Sequence, residues 1–155
     1  MPGEKVNLVS YHGAIMRWLV LGVFLLAGHG SWGQDFFTGT LHSFREDQRL
    51  AMPAWDEKLA VSSRNRAEDL ANQGVLSHED RRGDRPAFQM LNEGFSPGEF
   101  GEVLGAGDEP VQVWRAWLIS PSHRAVLTNA SWVAWGWGQA RAGNTKVYVL
   151  RFRGP

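Results

Sequence analysis

The sequence predicts an α+β domain, with helices packed on a small antiparallel sheet. Three observations carry that expectation. Apolar residues recur at helical spacing between residues 39 and 73 and again over 110–119. The period changes only near the end, in "SWVAWGWGQARAGNTKVYVLRFRG", where Trp135 and Trp137 alternate with glycine. There "GN" marks a turn before the β-rich "KVYVLRF", so this segment reads as a hairpin. Finally, 155 residues suffice for one domain around one core. Helices first and a terminal hairpin last is the order of an α+β layout.

Before the domain comes "MRWLVLGVFLLAGHGSWGQ", residues 16–34. Arg17, an apolar run from Trp18 to Ala27 and small residues up to Gly33 have the build of a secretory signal, the run being too short to span a bilayer. A membrane anchor is the competing reading. Residues 1–15 are mixed and polar, so Met16 is the expected start of translation and Gly33–Gln34 the expected cleavage region. Residues 1–33 are then extension plus signal and 34–155 a single domain, secreted or periplasmic, with no stable transmembrane anchor after cleavage.

Residues 39–50 place Leu41, Phe44 and Gln48 along one side of a short helix, and "MPAW" turns the chain. Residues 55–73 form the clearest helix, with Leu59, Ala60, Ser63, Ala67, Leu70 and Ala71 as the buried stripe and Gly74 as the stop. Lys58, Arg64, Glu68 and Asp69 make its solvated face. "RPAFQMLNEGF" reads as a helix opened by Pro86 and closed by Gly94. Residues 96–110 are Gly-rich and turn-like, with "GEVLG" as a short extended piece. Pro110 opens a helix with Val111, Trp114, Trp117 and Leu118 on one face, Pro121 resets it, and "SHRAVLTN" adds a further turn or two.

Charge and cysteine content exclude several classes. Removing Lys5, Arg17 and Glu4 with the leader leaves 14 basic against 15 acidic side chains, a net −1, so no basic excess remains to hold a nucleic acid. There is no cysteine, hence no thiol nucleophile, no disulfide and no lipid-bearing cysteine. Export without disulfides fits a bacterial cell envelope.

Three histidines remain: His42, His78 and His123. A lone histidine is usually a packed or solvated residue, but "VLSH" brings His78 out after two apolar anchors, and "SPSHR" sets His123 just past a helix break. Between them Glu102 sits in "GEFGEVLGAG", where little side-chain bulk blocks its approach to a ring nitrogen. Two imidazoles and a carboxylate are a recipe for a zinc-like divalent ion, so His78, Glu102 and His123 are candidate metal ligands, although no local motif joins them. Ser77 and Ser122 each adjoin a histidine, a thin basis for a nucleophile. The tryptophans Trp55, Trp114, Trp117, Trp132, Trp135 and Trp137 read chiefly as core, with an aromatic ligand rim as the competing role. Arg45 and Arg124 are candidate ion-pair partners, Arg124 more simply as a brace for the cleft backbone. The run from Glu79 to Arg85 is a solvated loop.

"PAWDEKLAVSSRNRAEDLANQGVLSHED", "GFSPGEFGEV" and "WRAWLISPSHRAVLTNASWVAWGWG" occur in an order that resembles the CAP superfamily of cysteine-rich secretory, antigen 5 and pathogenesis-related 1 proteins, in its cysteine-free bacterial branch. The resemblance spans roughly residues 41–152. It implies an α-β-α sandwich with a cleft lined by His78, Glu102 and His123. Two departures stand out. The family's "G-E-N" reads Gly101-Glu102-Val103 here, and the second cleft glutamate, in "W-x-x-E", is replaced in Trp117-Leu118-Ile119-Ser120. Ser120 thus takes that place in the cleft, and a divalent ion would be held more weakly or not at all. Where the family often has "H-A", this chain has Arg66-Ala67. The expected function is an exported binding module for an ion or a small-molecule, lipid or cell-envelope ligand. The alternative is a metal-assisted or His/Glu-dependent envelope hydrolase.

Overall fold

The computed structural model describes residues 32–155, so most of the expected signal segment and the Met16 start lie outside the described residues. The chain order is α1 (Trp32–Asp47), β1 (Ala54–Trp55), α2 (Glu57–Gln73), α3 (Pro86–Asn92), β2 (Phe100–Gly107), α4 (Pro110–Ile119), α5 (Pro121–Leu127), β3 (Ala134–Ala142) and β4 (Thr145–Arg153). Among the described residues no helix is long and apolar enough to cross a membrane.

The strands form one sheet in the order β1-β3-β4-β2. The terminal hairpin β3–β4 is its centre, β2 pairs antiparallel with β4, and Glu102 lies directly opposite Arg151. The sheet is not wholly antiparallel, because the two-residue β1 runs parallel to β3 through Ala54 and Trp55. Alternation along the strands divides the core into two layers. Trp135, Trp137, Val103, Leu150 and Phe152 pack with Phe37 and Leu41 of α1, Trp114 and Trp117 of α4 and Leu127 of α5. On the other face Leu104, Val147 and Val149 pack with Ala67 and Leu70 of α2. This is the expected α-β-α sandwich, and five of the six tryptophans are buried in it while Trp55 stays exposed.

Helix α2 follows its sequence signals closely. Asp56 caps it by accepting from the Leu59 amide at 3.0 Å, and Gly74 ends it at φ 68° with its N–H on the Leu70 carbonyl. Its backbone lies directly on β3. A Cβ at Gly136 would stand 2.3 Å from the Ala60 nitrogen, and one at Gly138 2.3 Å from the Arg64 nitrogen. Gly136→Ala should therefore lower stability by about 2 kcal/mol or more, since helix and sheet must part. An unchanged urea midpoint would show that this contact can give way.

Two expectations shift. The first helix ends at Asp47, leaving Gln48 in the turn that follows. The Gly-rich stretch 96–110, expected as turns around the short extended piece "GEVLG", carries the eight-residue strand β2, which contains that piece and runs beyond it. Its glycines serve packing rather than bending: a Cβ at Gly105 would meet the Val113 side chain at 2.3 Å.

Candidate functional site

Strand β2 is a free edge of the sheet, and the groups expected to form a cleft gather around it. Glu102 projects from β2 into the α2 layer, with its side chain fully buried. A buried carboxylate needs partners for both oxygens. Oε2 accepts from Arg151 Nε at 2.9 Å, its cross-strand neighbour, with Arg66 Nε 3.9 Å away. Oε1 lies 2.9 Å from Nδ1 of His78, whose ring is about half exposed. His78 and Glu102 are thus brought together as expected.

The loop that carries His78 is built locally. Asp80 Oδ1 accepts from the amides of Arg82 and Asp84, and Gly83 takes φ 84° to close the turn. Those two amides and the neighbouring Arg82 guanidinium hold the Asp80 carboxyl below its ordinary range, outweighing the opposing effect of burial. The run 79–85 is the solvated loop expected, closed as a turn by these hydrogen bonds. Ser77 accepts from the Glu79 amide, so its hydroxyl belongs to this turn.

His123 comes from α5, on the opposite layer. Its Nδ1 is 2.8 Å from Ser120 Oγ, which in turn lies 3.2 Å from Ser122 Oγ. Ser120 is the N-cap residue of α5 yet makes no capping bond, its hydroxyl going to the ring instead. Burial first, and then the neighbouring His78, hold the His123 pKa below its ordinary value. The sign follows: the unfolded chain binds the proton more readily, so the stability His123 permits is complete above its unfolded pKa and falls as pH drops toward the folded value. His123→Gln should therefore flatten the acid side of the stability profile just below the ordinary histidine range. A profile that falls equally in both proteins would contradict this.

Among the described residues, no three His, Asp or Glu side chains are placed to hold a metal ion between them. Both oxygens of Glu102 are engaged within the protein, so the triad His78, Glu102 and His123 does not fit as a ligand set. Nε2 of His78 and of His123 are the donor atoms left for an ion, with Glu102 behind the first ring.

Other residues differ from expectation. Arg124 lies over the Phe44 ring, 5.4 Å from its centroid, rather than bracing the cleft. Among the described residues Arg45 makes no ion pair, and it donates to backbone carbonyls. Val103, in place of the family's asparagine, is core. Sequence reading missed the roles of Gln89 and Arg151. The one signal was a lone arginine in the apolar strand "VYVLRF", where only a buried acid would justify it. Away from the cleft, a groove of about 530 Å³ runs between α1 and α4, lined by Phe36, Phe44, Trp114 and Leu118 among others.

Residues 40–152 match the model of the cysteine-rich secretory protein family, CAP. The Bacillus subtilis (strain 168) protein YkwD is 28% identical over 111 residues, 71% of this chain and 42% of YkwD. The chain thus spans about two-fifths of that relative's length. An outer surface protein from Borrelia burgdorferi superposes with a TM-score of 0.70 at 23% identity, over 77% of this chain and 90% of that one. An extracellular protein containing an SCP domain from Bacillus anthracis str. Ames gives 0.71 at 20% identity, over 79% and 40%. At these identities the two structures speak for the fold alone.

Proposed function

Since the chain belongs to the CAP family, we propose that it is an exported binding module whose cleft, between His78 and His123, takes a small ligand at the cell envelope. One observation carries this reading: a half-exposed imidazole is tethered at 2.9 Å to a fully buried carboxylate that is itself ion-paired. Packing alone gives no reason to bury a charge pair behind a ring left open to solvent. Export is supported by the leader-like segment at 16–34. A divalent ion would have two imidazoles and water as ligands, which makes it a weak guest. For an apolar ligand the groove between α1 and α4 is the roomier place.

A panel of zinc, envelope glycan fragments and lipids, titrated into the purified domain by calorimetry, tests the proposal. Binding by the wild type that His78→Ala and His123→Ala each weaken at least tenfold, about 1.4 kcal/mol, is expected. Equal affinity in all three proteins would overturn it.

The second reading, envelope hydrolysis, is favoured by the Ser120–His123 hydrogen bond, because a neutral ring beside a hydroxyl is a base beside a nucleophile. Ester or peptidoglycan turnover lost in Ser120→Ala and in His123→Ala would support it, and turnover that survives both would remove it.

A further inference from the structure

Traced inward, His78 leads into a closed circuit of hydrogen bonds. Its ring meets Glu102, and Glu102 accepts from Arg151. Arg151 donates through its second terminal nitrogen to the amide oxygen of Gln89. The Gln89 amide nitrogen donates back to the His78 carbonyl at 2.8 Å, and also to the Asp84 carbonyl at 2.6 Å. The carbonyls on either side, of Ser77 and Glu79, both accept from Arg66. Three consecutive carbonyls of an exposed loop are thus held by side chains of α2 and α3, and a fourth contact holds the ring.

Every donor and acceptor in the circuit is forced. Arginine can only donate, so the Gln89 oxygen must face Arg151 and its nitrogen must face the two carbonyls. A carboxylate ion-paired with Arg151 offers only lone pairs, so Nδ1 of His78 must carry the proton. Nε2 is then bare. It lies across a ring that is about half exposed, away from the buried carboxylate. Gln89 and Arg151 are almost wholly buried, so water is no rival for these contacts.

Resting on the binding reading above, we propose that Gln89 and Arg151 are positioning residues that lock His78 in the Nδ1–H tautomer. The cleft then presents a bare Nε2 lone pair and selects ligands that bring a hydroxyl or ammonium donor over anions. His123, whose proton affinity is lowered by burial and by His78, adds no standing positive charge that would draw an anion at neutral pH. The polar cavity of about 330 Å³ behind the loop, lined by Arg66, Asp69, Gln89 and Glu93 among others, belongs to this scaffold. Those four side chains are already engaged within the protein.

Histidine-¹⁵N-labelled full chain at mildly alkaline pH reports the tautomer through long-range ¹H–¹⁵N couplings, with no ligand needed. Wild type should show Nδ1 protonated and Nε2 bare at His78. Gln89→Leu and Arg151→Lys should raise the opposite tautomer several-fold. Gln89→Glu keeps the acceptor toward Arg151 but loses the donors toward the loop, so it should preserve the tautomer while the 78–84 amides exchange faster. A wild-type Nε2–H form, or a tautomer population unmoved in both Gln89→Leu and Arg151→Lys, would overturn the positioning role. Ethanolamine and acetate then probe ligand class. Shifts at His78 with ethanolamine and not acetate are expected, and equal or stronger shifts with acetate would overturn the selectivity. Shifts with neither probe, the tautomer being intact, would refute donor selection and tell against the binding reading while the positioning role stands.

Discussion

Glu102→Ala should cost about 3–5 kcal/mol of folding stability, the range for breaking a buried ion pair by removing one partner. The reason is what remains. Arg151 is fully buried and would lose its carboxylate, keeping Ser62, Gln89 and the more exposed Glu93 as acceptors. Arg66, 5% exposed, would lose the carboxylate 3.9 Å from its Nε, an atom with no hydrogen bond of its own. Arg66 would keep Asp69 at 3.1 Å and Arg151 would keep Glu93 at 3.0 Å, but both of those carboxylates are more than a third exposed, and the buried one would be gone. Glu102→Gln should cost less, because an amide oxygen still accepts from Arg151, though without the charge. The double variant Glu102→Ala/Arg151→Met should recover part of the loss, since it removes both charges. Urea unfolding followed by tryptophan fluorescence measures all three, as a shift of midpoint at constant slope. A loss below about 1 kcal/mol for Glu102→Ala would show that the pair is solvated in solution.

That network also marks the boundary of what was legible in the sequence. Residues whose role follows from a local period or a cap were readable: the α2 stripe, the Gly74 stop, the proline-opened helices and the alternating hairpin all declare themselves within a few positions. Glu102, His78 and His123 were singled out by type, by their local surroundings and by resemblance. Gln89 and Arg151 were not, because they act across 62 residues of chain separation and their partners are chosen by strand register, which no single segment encodes. The glycines of β2 hid the strand's full length for a related reason. Glycine argues against a strand by propensity, yet Gly105 is there because Val113 and Trp117 of α4 come close to the strand. The metal expectation shifted on the same point: three ligand types were visible, but the arginine that occupies the carboxylate was not.

Arg45 gives the second large effect, on the other face of the sheet. It is fully buried with no carboxylate paired to it among the described residues, and burial pushes its pKa below the ordinary arginine value. In place of an ion pair it donates from Nε to the Ala51 carbonyl at 2.9 Å, and from one terminal nitrogen to those of Leu127 and Asn129 at 2.9 and 3.1 Å. Leu127 closes α5, whose last carbonyls lack helical partners, so the guanidinium both caps that helix and meets the negative end of its dipole. One side chain thereby ties the end of α1 and the segment after it to the end of α5, the helix that carries His123. Arg45→Leu should cost about 3 kcal/mol, from three charge-assisted bonds each worth about 1.5–3 kcal/mol less the desolvation of the cation no longer required. Arg45→Lys should cost nearly as much, because a compact ammonium cannot serve carbonyls of two separate segments as a planar fork does. Arg45 and Glu102 share no partner and lie in different layers, so Arg45→Lys and Glu102→Gln should add to within about 0.5 kcal/mol in the double variant. A lysine variant as stable as wild type would refute the clamp, and strong non-additivity would mean that the two layers fail as one unit.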